Sequence, residues 1–115
     1  MSNYHSEIRT KNPDRVTKNN KISEELAKAV KSLAAEKGVP FNSLIEEGLR
    51  WVLDTYKSEK DFTPPPTPDD RKQLGTTLSD KLYKEVKMRA VKLNTKVNVL
   101  MEMAIRYVLE KYNNK

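Results

Sequence analysis

A chain of 115 residues with 37% hydrophobic residues is sized for one modest core, which excludes a large enzyme. With no cysteine and a single His5, a disulfide framework, a thiolate metal site and a histidine cluster are excluded, and no cofactor is expected. The net charge of +6 suits a polyanion, because each Lys or Arg near a phosphate displaces a condensed counterion, although a merely soluble surface carries such a charge too.

Residues 1–14, MSNYHSEIRTKNPD, lack the apolar core of a signal peptide and read as a flexible N-terminal arm. The next segment, RVTKNNKI from Arg15 to Ile22, is too short for a helix and reads as a strand, although of its inward positions Lys18, Asn20 and Ile22 only the last is apolar. Ser23, followed by Glu24, Glu25 and Leu26, is an N-cap opening a helix with the apolar face Leu26, Ala29, Val30, Leu33 and Ala34. Gly38 suits a left-handed cap at its end. A second helix starts near Pro40 to Asn42, with the stripe Leu44, Ile45, Leu49, Val52, Leu53 and Tyr56. Gly48 shares that face and permits close helix approach. Trp51 lies off it, suited to packing on another helix or to a subunit contact.

Residues 58–70, SEKDFTPPPTPDD, carry a net charge of −3 and a proline run that favours extended polyproline II, the texture of a spacer or of a ligand for a proline-binding module. The remaining residues, 71–115, hold eleven Lys and Arg against four Asp and Glu, a charge of +7. They begin with RKQLGTTL, Arg71 to Leu78, in which Leu74, Thr76 and Leu78 alternate with Gln73, Gly75 and Thr77 as in a strand with one buried face. Ser79 caps a helix bearing Leu82, Val86, Ala90 and Leu93 and ending at Asn94, with Arg89 narrowing the apolar face. A last helix starts near Lys96 to Asn98 and carries Leu100, Met101, Ile105, Val108, Leu109 and Tyr112. No apolar run approaches the roughly 18 residues of a membrane span, so a cytoplasmic protein with no membrane partner is expected.

Displacing the chain by 56 residues aligns 15–56 with 71–112 without a gap, and fourteen of the 42 pairs are identical, among them Arg15/Arg71, Asn42/Asn98, Glu46/Glu102 and Arg50/Arg106. One unit, residues 15–57, therefore recurs. Each copy alone is too small for a stable core, and two copies sharing one core solve this. A lone strand of this length must also pair, and its available equal is the strand of the other copy.

Strand, capped helix, tight turn and longer helix, with the junctions Ile22-Ser23-Glu24 and Leu78-Ser79-Asp80 and the Asn in FNSLI and VNVLM, resemble the ribbon-helix-helix family of DNA-binding proteins, the Arc and MetJ type. The resemblance covers residues 15–57 and 71–115. It implies a mainly α fold with a short two-stranded antiparallel ribbon, in which one chain supplies both protomers of an intramolecular pseudo-dimer (β-α-α-linker-β-α-α). The thirteen-residue linker reaches at most about 40 Å, enough for that return. It implies a prokaryotic or phage protein, nucleoid-associated, that regulates transcription as a repressor by inserting the ribbon into the major groove of double-stranded DNA, and that assembles side by side on it. Base contacts then fall to the outward positions Thr17, Asn19 and Lys21 and Gln73, Gly75 and Thr77; Gly75 has no side chain to read with. Because the strands differ, the operator is not a perfect palindrome. Phosphate contacts fall to Phe41, Asn42 and Ser43 and to Val97, Asn98 and Val99 at the starts of the second helices, with Lys96, Arg15 and Arg71 adding charge; Asn42 and Asn98 also suit simple helix caps. The arm, with Tyr4, His5, Arg9 and Lys11, is expected either to be disordered or to touch adjacent DNA when bound.

Other readings on the same fold are an accessory DNA binder for plasmid transfer, partition or copy control, an antitoxin, and a protein-binding module, the last favoured by Lys18 and Asn20 at inward strand positions. The chain ends three residues after Tyr112, so an antitoxin would bind its partner through the N-terminal residues. No nucleophile with a base, metal cluster or phosphate loop is present, and no enzyme activity is expected.

Overall fold

The computed structural model describes residues 14–113; the expected N-terminal arm lies outside them apart from Asp14. The elements follow the order strand β1 (Arg15–Ser23), helix α1 (Glu24–Lys37), helix α2 (Phe41–Thr55), strand β2 (Arg71–Ser79), helix α3 (Asp80–Lys92) and helix α4 (Val97–Asn113). β1 and β2 form one two-stranded antiparallel sheet, with Arg15 opposite Ser79, Asn19 opposite Gly75 and Ser23 opposite Arg71.

The fold class expected from sequence, mainly α with a short two-stranded antiparallel ribbon in a tandem ribbon-helix-helix pseudo-dimer joined by a proline-rich linker, is corrected to four α-helices and a two-stranded antiparallel sheet in the order β-α-α-β-α-α. Two features depart from the expected layout. The strands run through Ser23 and Ser79, which face Arg71 and Arg15 across the ribbon and whose backbone N–H groups are accepted by glutamates from α4 and α2. The linker carries a 3-10 turn, Glu59–Asp61, after which Phe62 is buried edge-on against Tyr56 at 5.6 Å. An apolar side chain that finds a pocket holds its segment against the body, which the proline content alone does not suggest.

The starts of α1 and α3 and the turns that follow them have local causes. Ser23 Oγ and Ser79 Oγ accept the N–H of Leu26 and Leu82 at 3.3 and 3.2 Å, satisfying donors a helix leaves orphaned. Gly38 (φ 70°) and Asn94 (φ 58°) turn the chain in the left-handed region after α1 and α3. The core is built from matched positions of the two repeats: Ile22 with Leu78, Val30 with Val86, Ile45 with Met101, Leu49 with Ile105 and Val52 with Val108 are all fully buried. α2 and α4 cross at Gly48, where an added Cβ would overlap the Ala104 carbonyl and come within 2.7 Å of the Ala104 Cβ. Trp51 and Tyr107, also a matched pair, stack face to face with centroids 4.4 Å apart and planes 8° apart.

The weak first strand is rescued by one residue. Tyr83 stands where the first repeat has Ala27; its hydroxyl accepts Asn20 Nδ2 at 3.3 Å and its ring lies 5.3 Å from Lys18 Nζ. Arg89, which interrupts the apolar face of α3, donates to the carbonyls of Leu53 and Tyr56 at 2.7 and 2.8 Å and so closes the C-terminal end of α2. Among the described residues, no helix is long and apolar enough to cross a membrane.

Candidate nucleic-acid interface

The pleat of a two-stranded sheet turns one face to the helices and the other to solvent. Leu74, Thr76, Leu78 and Ile22 lie on the buried face, while Thr17, Asn19, Lys21, Gln73 and Gly75 are exposed and Thr77 is half-buried on the other. Across the ribbon Thr17 faces Thr77, Asn19 faces Gly75 and Lys21 faces Gln73. The six expected base-contacting positions thus share one surface in three facing pairs. The Thr17 and Thr77 hydroxyls bond each other at 3.2 Å. A Cβ on Gly75 would meet Asn19 Oδ1 at 3.1 Å, so the glycine gives the Asn19 amide room to lie across the ribbon.

The outer edges of a two-stranded sheet present unpaired backbone groups. Asn42 and Glu46, four apart on α2, reach one edge: Asn42 Oδ1 accepts Thr77 N at 3.1 Å and Glu46 Oε2 accepts Ser79 N at 2.7 Å. Asn98 and Glu102 on α4 do the same at the other edge, Asn98 Nδ2 donating to Lys21 O at 3.2 Å and Glu102 Oε2 accepting Ser23 N at 2.8 Å. A spacing of four keeps both side chains on one helix face, and a spacing of two keeps both amides on one strand edge. The helices therefore grip the ribbon through a repeated Asn/Glu pair, which is why those residues are identical in both repeats.

The expected phosphate-contacting residues divide accordingly. Asn42 and Asn98 sit inside their helices with side chains committed to the ribbon, and neither caps its own helix; the N-cap of α2 is Pro40. Arg15 and Arg71 are turned inward. Arg71 donates to both oxygens of Glu102 at 2.7 and 3.0 Å, a pairing that raises its pKa, and Arg15 donates to Thr77 O at 2.7 Å while lying 3.2 Å from Glu46. Ser43 and Lys96 are exposed, and Phe41, Val97 and Val99 are half-buried. Ser43 N already bonds Pro40 O at 3.0 Å and Val99 N bonds Lys96 O at 3.1 Å. The first amides of α2 and α4, from Phe41 and Asn42 and from Val97 and Asn98, have no partner within their helices, and the helix dipole places partial positive charge there. Both helix starts flank the ribbon, because the Asn side chains tie them to it.

Four contributors were missed in the sequence. Glu46 and Glu102 were visible as identical polar residues on an apolar helix face, but their partners lie on distant strands. Asp70 caps α1 from outside: its carbonyl accepts Glu24 N at 2.9 Å, and its carboxylate accepts Glu25 N at 3.0 Å and Ser23 Oγ at 3.1 Å. The Glu25 bond leads in holding the Asp70 carboxyl below its ordinary value. Its counterpart Asp14 accepts Asp80 N at 2.7 Å through its carbonyl. The two aspartates stand 56 apart, so extending the alignment by one residue would have found them.

Among the described residues no group of His, Asp or Glu is arranged to hold a metal ion. No family model, no curated protein and no solved structure matches the chain.

Proposed function

We propose that this chain is a sequence-specific double-stranded DNA-binding protein that lays its two-stranded ribbon in the major groove and represses transcription by occupying promoter DNA against polymerase. In this reading it is cytoplasmic and nucleoid-associated, and the resemblance to ribbon-helix-helix proteins supports the same class. The observation that carries the proposal is the outward ribbon face, where Lys21, Gln73, Asn19 and two threonines present polar tips on a surface flanked by two helix starts. A two-stranded ribbon fits the major groove; Lys suits guanine O6 and N7, Asn and Gln suit adenine N6 and N7, and Thr suits the thymine methyl. Helix starts on either side of the ribbon suit the two phosphate rims, and an overall charge of +6 favours association.

Selection of duplexes from a random pool, followed by titration of the best site across a salt series, tests this. One preferred site is expected, with affinity falling as salt rises. A Lys21→Ala, Gln73→Ala chain is expected to lose base preference while keeping much of the salt-dependent affinity. A folded chain that binds no duplex at low salt, or a double variant with unchanged preference, would defeat the proposal.

A further inference from the structure

The two ends of the ribbon are not equivalent: exposed Ser43 gives the start of α2 a hydroxyl where α4 has Val99, but the differences in charge and in amide-bearing side chains fall at the other end. At one end Lys21 and Gln73 face each other, both exposed. Asn98 binds the Lys21 carbonyl, which sets the start of α4, with exposed Lys96, beside that same end. Glu24, the acidic residue that follows β1 there, lies 3.7 Å from Lys72 and 3.8 Å from Lys28, so it is balanced locally and leaves Lys21 uncancelled. At the other end two short threonine hydroxyls are bonded to each other. The start of α2 adjoins them through Asn42, and where α4 has Lys96 the aligned residue before α2 is Pro40, which offers neither charge nor an N–H.

From this coincidence we infer that the ribbon has a strong and a weak end and binds its site in a single orientation. The inference rests on the DNA-binding reading above and adds polarity to it. The half-site under Lys21 and Gln73 is read closely, with a guanine beside an adenine, and the phosphate rim next to it is held by Lys96. The centre is read by Asn19, whose amide lies across Gly75 and suits adenine. The half-site under Thr17 and Thr77 tolerates substitution, because its hydroxyls are short and mutually engaged. The strongest site is thus a directional sequence with one demanding half.

The test uses the full chain and the best duplex recovered by selection. Affinity is measured by fluorescence anisotropy for single base-pair changes at mirrored positions of the two halves, at one salt concentration. Changes in one half are expected to weaken binding roughly tenfold or more each, and the mirrored changes less than about threefold; Lys21→Ala should erase the difference. Because the chain has no cysteine, a Thr95→Cys variant carries one iron-chelate cleaving group near Lys96, and its strand cuts should fall in the demanding half alone. Equal sensitivity of both halves, or equal cutting in both, overturns the polarity while leaving DNA binding intact. Absence of binding to any duplex overturns both.

Discussion

Glu102 holds Arg71 through both carboxylate oxygens, at 2.7 and 3.0 Å, and at the same time takes the backbone N–H of Ser23 at 2.8 Å, with 1% of its surface exposed. One side chain of α4 thereby joins the end of β1 to the start of β2. Removing one partner of a buried pair strands the other charge, which typically costs about 3–5 kcal/mol. Glu102→Ala is expected to lose stability on that scale in urea unfolding. Glu46→Ala should lose less, because its partner Arg15 is a third exposed and more easily solvated. The reverse order would show that the ribbon is not held mainly through Glu102.

Acid should loosen the molecule through two carboxylates. Burial pushes the Glu47 carboxyl up, but hydrogen bonds from Lys111 and Tyr112 and the charges of Lys111 and Lys37 outweigh it and leave the group below its ordinary 4.5. Asp70 is likewise held below its ordinary 3.8. A folded-state value below the unfolded one contributes stability that is present above the unfolded value and lost as pH falls through the folded value. Unfolding midpoints are therefore expected to be flat from pH 7 to about 5 and to fall below that, with a shallower fall in a Glu47→Gln, Asp70→Asn chain. An identical acid profile in that chain would remove these groups as the cause.

Gly48 is where α2 comes against the backbone of α4 at Ala104. A side chain there has no room against the Ala104 backbone, and overpacking a core typically costs about 1–3 kcal/mol. Gly48→Ala should lower the melting temperature by roughly 5–15 °C. A thermal melt unchanged from the parent would mean the helices are further apart than described.

The Trp51 and Tyr107 stack offers a spectroscopic handle, because Trp51 is the chain's single tryptophan. Tyr107→Ala should redden its emission and lower stability by about 1–3 kcal/mol, since a stacked pair adds about 0.5–1.5 kcal/mol beyond the area it buries. Tyr107→Phe should keep most of both. Emission unmoved by Tyr107→Ala would place Trp51 away from this ring.

Much of the candidate interface was legible in the chain itself. Alternation in RKQLGTTL separated Gln73, Gly75 and Thr77 from Leu74, Thr76 and Leu78, and the 56-residue offset carried that assignment to Thr17, Asn19 and Lys21 despite the polar inward positions of the first strand. The partner of the inward asparagine was not legible, because Tyr83, whose hydroxyl accepts the Asn20 side-chain N–H, belongs to another helix. Arg15 and Arg71 read as free cations for the same reason: their carboxylates lie 31 residues along the chain in each case, on helices whose crossing no local pattern reveals.

By itself the sequence determined the periods: most of the residues that turn inward, though not buried Ala27 and Tyr83, where the helices begin, and that the unit occurs twice. These follow from backbone geometry, which is local and repeats every two or 3.6 residues. The tertiary structure alone decided which polar groups stay free for a partner. Whether Arg71 meets a phosphate or Glu102, and whether Asn42 caps a helix or holds Thr77, depends on what lies within about 3 Å after folding.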